Sequence, residues 1–130
     1  MPILNLKLSA ARSDALSEGA IRILADKTHA ILGKKPEVTA ITIAYIDPRD
    51  WIVDGKSLAA TGQSSLYLDI KITDETNTKQ EKARYIAEVF EDFAKLLGNL
   101  HPHSYIYVED VRAAAYGFGG KTQEYRYHHG

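Results

Sequence analysis

Two stretches decide the fold: Leu4-Asn5-Leu6-Lys7-Leu8-Ser9 and Leu68-Asp69-Ile70-Lys71-Ile72-Thr73. Each alternates apolar and polar residues, the period of a half-buried strand, and the two match almost residue for residue. The segments after them repeat as well. A helical pattern over residues 13–33 opens on Ser13 and carries Leu16, Ala20, Ile23, Leu24 and Ile31 on one side. A second, over residues 78–98, opens on Thr78 and carries Ala83, Ala87, Phe90, Ala94 and Leu97 on one side. Both begin at an N-cap residue type and stop at a glycine, and both intervals span 20 positions. A proline follows each glycine, Pro36 and Pro102, and then comes another strand, residues 38–46 and 105–108.

Strand–helix–strand written twice, in units of residues 2–47 and 65–110, reads as tandem βαβ units from a duplication. Right-handed crossovers place the two strands of each unit parallel with the helix on one face. The predicted class is α+β: one domain over residues 1–130, a four-stranded mixed sheet with two helices on one face, and a tail over residues 111–130. Leu4, Leu6, Leu8, Leu66, Leu68, Ile70 and Ile72 are expected under the helices. Asn5, Lys7, Tyr67, Asp69 and Lys71 fall on the other face, which no helix of the chain covers. Tyrosines and lone charges on an open face predict association with other subunits.

The bulk properties fit one globular domain. The chain has 130 residues, 45% of them hydrophobic and 25% charged, ordinary for a folded domain with its own core. A net charge of −1 provides no field to gather nucleic acid or an anionic membrane, so neither is an expected partner. With no cysteine, thiol catalysis and cysteine metal sites are excluded. The run after Met1 is broken by Asn5 and Lys7 and lacks the build of a signal peptide. No stretch approaches the roughly 18 apolar residues of a membrane span, so the expected location is cytoplasmic. His101, His103, His128 and His129 lack metal-ligand spacing with a carboxylate, and Gly117, Gly119 and Gly120 open no helix, which removes the phosphate-loop reading. No metal and no nucleotide is expected.

Pro2 admits two readings. Proline donates no backbone hydrogen bond and is tolerated at the first residue of a strand. Alternatively, loss of Met1 leaves Pro2 with a free secondary amine, a base built into the end of a sheet. Pro2 ahead of tandem βαβ units, at this length, resembles the tautomerase superfamily, whose catalytic group is an amino-terminal proline. The front half is similar to 4-oxalocrotonate tautomerase in Pro2, in Arg12-Ser13-Asp14 opening the helix, and in Trp51 in the loop. The length and the back half are more similar to macrophage migration inhibitory factor: Gly33-Lys34, in the front unit, stands for that family's pocket lysine, and Tyr105-Ile106-Tyr107, Asp110 and Tyr116-Gly117-Phe118 track its last strand and tail. Three positions depart from these patterns. Ala40 or Ile41 stands where a second substrate arginine is found, Tyr107 replaces a pocket asparagine, and the cytokine group's cysteine pair is absent.

The resemblance implies a cofactor-free homotrimeric tautomerase acting on a small enol or α-keto carboxylate, with Pro2 as the proton shuttle. A base for this work is best poised near neutral pH, and burial or neighbouring cations disfavour a protonated amine. Arg12 and Lys34 are the expected cations and carboxylate holders, Arg12 with a bidentate fork and Lys34 as a point charge. Lys34 also sits in a Lys34-Lys35 pair at a helix C-terminus, where the helix dipole favours cations in any case. Trp51 lies in a turn-rich segment and reads as a pocket wall or as a cap on the core edge. Asp69, on the open face, is a further candidate whose charge would favour a protonated amine. Tyr105, Tyr107 and Phe118 are packing residues or pocket walls shared between subunits, and the glycine-rich tail is able to add a strand to a neighbour's sheet. Two other functions fit the same residues: a hydratase, dehalogenase or decarboxylase using protonated Pro2 as an acid, and a non-catalytic trimeric binding protein.

Overall fold

In a computed structural model that describes residues 2–129, the chain forms β1 (Ile3–Leu8), α1 (Asp14–Ala30), β2 (Ala40–Tyr45), the short pair β3 (Ile52–Val53) and β4 (Lys56–Ser57), and the one-turn α2 (Leu58–Thr61). It continues with β5 (Leu66–Thr73), α3 (Lys79–Leu97), β6 (Tyr105–Val111), the hairpin β7 (Gly117–Phe118) and β8 (Lys121–Thr122), and α4 (Gln123–His129). Met1, whose loss is expected to free the Pro2 amine, lies outside the described residues.

The four long strands make one mixed sheet in the order β2-β1-β5-β6. β1 and β2 are parallel, β5 and β6 are parallel, and the two units meet antiparallel through β1 and β5. Ile3 faces Lys71, Asn5 faces Asp69 and Leu8 faces Leu66 across that seam. Asn5 and Asp69 are equivalent positions of the two matching stretches, and they are also partners in the ladder, so an approximate twofold axis passes between them. Asn5 Nδ2 donates to Asp69 Oδ1 across it at 3.3 Å.

Both helices lie against one face of the sheet. Leu4, Leu6, Leu8, Leu66, Leu68, Ile70 and Ile72 are buried there, as the alternation predicts, together with Ala20, Leu24 and Ile31 from the first half. Fully burying each leucine or isoleucine is worth about 1.5–3 kcal/mol. Ser13 caps α1 by accepting from Leu16 N–H at 3.3 Å. Thr78 and Glu81 cap α3 reciprocally, each side chain accepting from the other's backbone N–H, an arrangement that satisfies two orphan donors. Gly33 and Gly98 both adopt positive φ after their helices, where glycine carries no steric penalty.

The buried face of α3 corrects the expected one. Ala83 and Ala87 are exposed; Tyr85, Val89 and Phe93 are buried. These larger residues recur at i, i+4 and i+8, and they fill the space over β5 and β6 that alanines would leave empty. Tyr85 OH and Thr28 Oγ1 share a 2.9 Å hydrogen bond that joins the helices inside the core. Two boundaries also move. β2 begins at Ala40 because a 3-10 turn occupies Pro36–Val38, and β6 continues to Val111 because its partner β5 runs to Thr73. The tail pairs with itself, β7 against β8. A Cβ on Gly117 would lie 1.9 Å from Lys121 O, so this turn tolerates only glycine there. No described helix is long and apolar enough to cross a membrane.

Candidate active site

The antiparallel seam gives the sheet two chemically different ends. One end gathers Pro2, the loop between α1 and β2, the last residues of β5 and β6, and the tail. The other gathers Ser9 to Ser13, Tyr45 to Trp51, and the starts of β5 and β6.

Pro2 is buried at the first end, and its carbonyl accepts from Ala40 N–H at 3.1 Å. It therefore holds the first rung between β1 and β2 through the acceptor that proline still has. A cavity of about 400 Å³ opens on it, closed by Glu37 and Thr39 from the turn before β2 and by Tyr116, Gly117 and Phe118 from the tail. The walls are mostly apolar. Among the residues lining it, Glu37 carries the only charge. Tyr116 is anchored by a hydrogen bond between its hydroxyl and that of Thr73 at the end of β5.

Lys34 lies at the same end but outside that lining. Its Nζ donates to Thr76 Oγ1 at 2.8 Å, and Thr76 Oγ1 donates to Thr73 O at 2.6 Å, so the lysine is tied to the turn after β5. Partial burial pushes the Lys34 ammonium below its ordinary pKa, against the opposing pull of Glu81 and Asp110.

Asp69 and Tyr107 stand at mid-sheet on the open face, directly opposite each other. Asp69 is buried there, accepting from Asn5 and from Lys71 Nζ at 2.9 Å, and is not among the residues lining the Pro2 cavity. Tyr107 is 5.8 Å from Tyr67 and 6.2 Å from Tyr105 by ring centroid. Tyr105 and Tyr107 are exposed, which leaves an aromatic surface on the face without helices.

Arg12, Trp51 and Tyr105 belong to the far end. Arg12 pairs with Asp14 at 2.7 Å, its side chain 72% exposed, and borders a second cavity of about 560 Å³ with Tyr45 and Asp47. Trp51 borders a third, of about 360 Å³, with Lys7 and Tyr67. Of the eight residues singled out from sequence, one protomer thus brings Pro2 and Phe118 to one cavity and Lys34 to the same end. Glu37 and Thr39 were missed. The signal available was their position: they lead into the strand whose first residue pairs with Ile3. Among the described residues, no group of three or more histidines and acidic residues is placed to hold a metal ion.

No protein-family model and no curated protein sequence matches the chain. Solved structures do. Its fold is similar to that of an asymmetric trimer of wild-type fused 4-OT, with a TM-score of 0.80 at 17% identity, covering 94% of this chain and 96% of that one. It is similar to Pt0534 inactivated by 2-oxo-3-pentynoate, with a TM-score of 0.82 at 10% identity, covering 95% and 98%. It is also similar to FG41 malonate semialdehyde decarboxylase inhibited by 3-bromopropiolate, with a TM-score of 0.73 at 17% identity, covering 97% and 95%. All three have the tautomerase-superfamily fold, and this chain has the same one.

Proposed function

We propose that this protein is a cofactor-independent keto–enol tautomerase for small enol or α-keto carboxylates, in which the nitrogen of Pro2, freed by removal of Met1, carries the proton. The observation that carries the reading is the burial of Pro2 at the head of an apolar cavity. An uncharged secondary amine tolerates such a site and its ammonium form does not, which favours a base. The nitrogen accepts the proton released from the enol oxygen and returns one to the neighbouring carbon, so the substrate is isomerised with no net loss or gain.

The substrate carboxylate needs a cation. Since Glu37 is the only charge lining the cavity in one protomer, Lys34 and the Arg12 of a neighbouring subunit are the proposed donors. A homotrimer built on the open sheet face supplies the second of these. Support comes from the trimeric fused 4-OT structure and from two fold neighbours that are blocked by small acetylenic carboxylates.

Glu37 favours a second reading. A carboxylate beside an amine stabilises its protonated form, and a protonated Pro2 is an acid suited to hydration, dehalogenation or decarboxylation. The malonate semialdehyde decarboxylase among the fold neighbours is in keeping with that chemistry.

The test is ketonisation of phenylenolpyruvate by protein whose mass shows loss of Met1, against Pro2→Ala. A loss of at least ~100-fold, the usual scale for a positioned general base, is the expected result. Equal rates in both proteins, or none in either, would remove Pro2 as the shuttle for this reaction.

A further inference from the structure

We propose that Arg126 is a positioning residue for the Pro2 cavity: it clasps Phe118 and so holds the wall against which the organic part of the substrate rests. The inference rests on the reading of Pro2 as the reacting group. Its ground is the geometry of the tail. β7 and β8 contribute two residues each, far below the size at which a hairpin is stable by itself. Yet this hairpin supplies Gly117 and Phe118 to the lining, and something must hold it.

Arg126 does so from α4. Its guanidinium carbon lies 3.8 Å from the Phe118 ring centroid, and its Nη2 donates to Phe118 O at 2.9 Å. One side chain therefore grips both the ring and the backbone of the same residue. The turn is cut to fit it: a Cβ on Gly119 would lie 2.8 Å from Arg126 Nη2. Arg126 makes no ion pair among the described residues, and its Nε is buried without a hydrogen-bond partner. An arginine serving solubility would face water or a carboxylate; this one is committed to Phe118. The start of α4 is fixed in turn by Gln123 N–H donating to Tyr116 O and Glu124 N–H donating to Ala113 O, each at 2.9 Å. Because Arg126 stands behind the wall and is not itself part of the lining, it acts through Phe118 and not on the reacting atoms.

The experiment uses the full-length protein and the variants Arg126→Ala, Arg126→Lys, Phe118→Leu and the double variant Arg126→Ala/Phe118→Leu. Two quantities are read: steady-state ketonisation of phenylenolpyruvate, and calorimetric binding of the unreactive analogue 3-phenylpropionate. Arg126→Ala is expected to raise KM and weaken analogue binding by about 10-fold, with kcat within about 3-fold, the pattern of lost uniform binding. Lysine keeps the charge but lacks the planar face, so Arg126→Lys should fall between. In the Phe118→Leu background, Arg126→Ala should cost clearly less than it does alone, because the ring contact is already gone and only the bond to the backbone carbonyl is left to lose; the cycle is then non-additive. A fall in kcat at constant KM, additive effects in the cycle, or unchanged binding in both Arg126 variants would overturn the proposal. If the alanine variant does not fold, as shown by its circular dichroism, the lysine variant carries the test. If the wild type is inert on the enol yet binds the analogue in an Arg126-dependent way, the clasp stands and the proton-shuttle reading falls. If turnover is normal and indifferent to Arg126, the reverse holds.

Discussion

Pro2 and Arg12 lie beyond opposite ends of β1, and the six residues Ile3–Leu8 between them span about 20 Å at the usual strand rise. Within one protomer no side-chain rotation brings that guanidinium to that nitrogen. A site that uses both must therefore be assembled from two subunits.

Subunit mixing tests this directly. Pro2→Ala and Arg12→Ala are each expected to be nearly inactive. Unfolded together in equal amounts and refolded, they should recover activity at about a quarter of the sites, those pairing an intact Pro2 with an intact neighbouring Arg12 in a closed ring. No recovery, with trimers of mixed mass present, would place both residues in one protomer's site or remove Arg12 from it.

Lys34 is expected to act through charge in substrate binding. Lys34→Met should raise KM for an enolpyruvate by about 10-fold or more, whereas Lys34→Arg should recover most of it, since a carboxylate accepts either cation. Thermal stability should not fall in Lys34→Met: the change removes a charge that the fold partly desolvates. A melting temperature well below wild type would mean that the bond to Thr76 is chiefly structural.

The Thr28–Tyr85 hydrogen bond offers a test within the core. Removing one partner strands the other, so Tyr85→Phe or Thr28→Val alone should cost about 1–3 kcal/mol. The double variant Thr28→Val/Tyr85→Phe should cost less than the sum, because no polar group is then left unpaired. Urea unfolding of the four proteins closes the cycle, and strict additivity would deny the coupling.

Burial also pushes the Tyr85 phenol up to about 12 from an ordinary 10.0, against the smaller opposing effect of the Thr28 hydrogen bond. Between these values the unfolded chain has lost the proton and the native one keeps it. The native state then binds more protons, so stability falls as pH rises. At 1.36 kcal/mol per pH unit, the loss from pH 10 to 12 is on the order of 3 kcal/mol. Tyr85→Phe should flatten the alkaline limb of a stability–pH curve; an equally steep limb in the variant would assign it to other groups.

The main sheet was legible because strand alternation and helix stops are local signals, and both were written twice. The apolar face of β1 and β5 followed from alternation alone. The face of α3 did not, because alanines at helical spacing imitate a buried stripe, while Tyr85 carries a hydroxyl that looks solvent-bound until Thr28 is placed opposite. The site was legible only where it is local. Pro2 and Phe118 were named from short stretches that resemble a known family, and both line one cavity. Glu37, Thr39 and Arg126 reach that cavity or its wall through register and chain reversal, which no short stretch of sequence expresses. For Arg12, Trp51, Asp69, Tyr105 and Tyr107, a role at Pro2 depends on what a second protomer brings, and residue order along one chain does not encode that.

The approximate twofold through Asn5 and Asp69 has a consequence for how such a molecule can evolve. By that symmetry Leu66 is the counterpart of Pro2 at the far end of the sheet. It is fully buried, and it is preceded by Ser65, whose backbone N–H is bonded to Ser9 Oγ at 2.8 Å. In the proposed chemistry the reacting nitrogen is a chain terminus, and a terminus is the one catalytic group that tandem fusion cannot copy. Joining two half-length ancestors head to tail turns the second amine into a peptide nitrogen at the moment of joining, whatever residue stands there. Under such a fusion the two ends of the sheet become unequal by covalent necessity, before any substitution distinguishes them. At the far end Leu66 and Ser65 are accordingly free to serve the core.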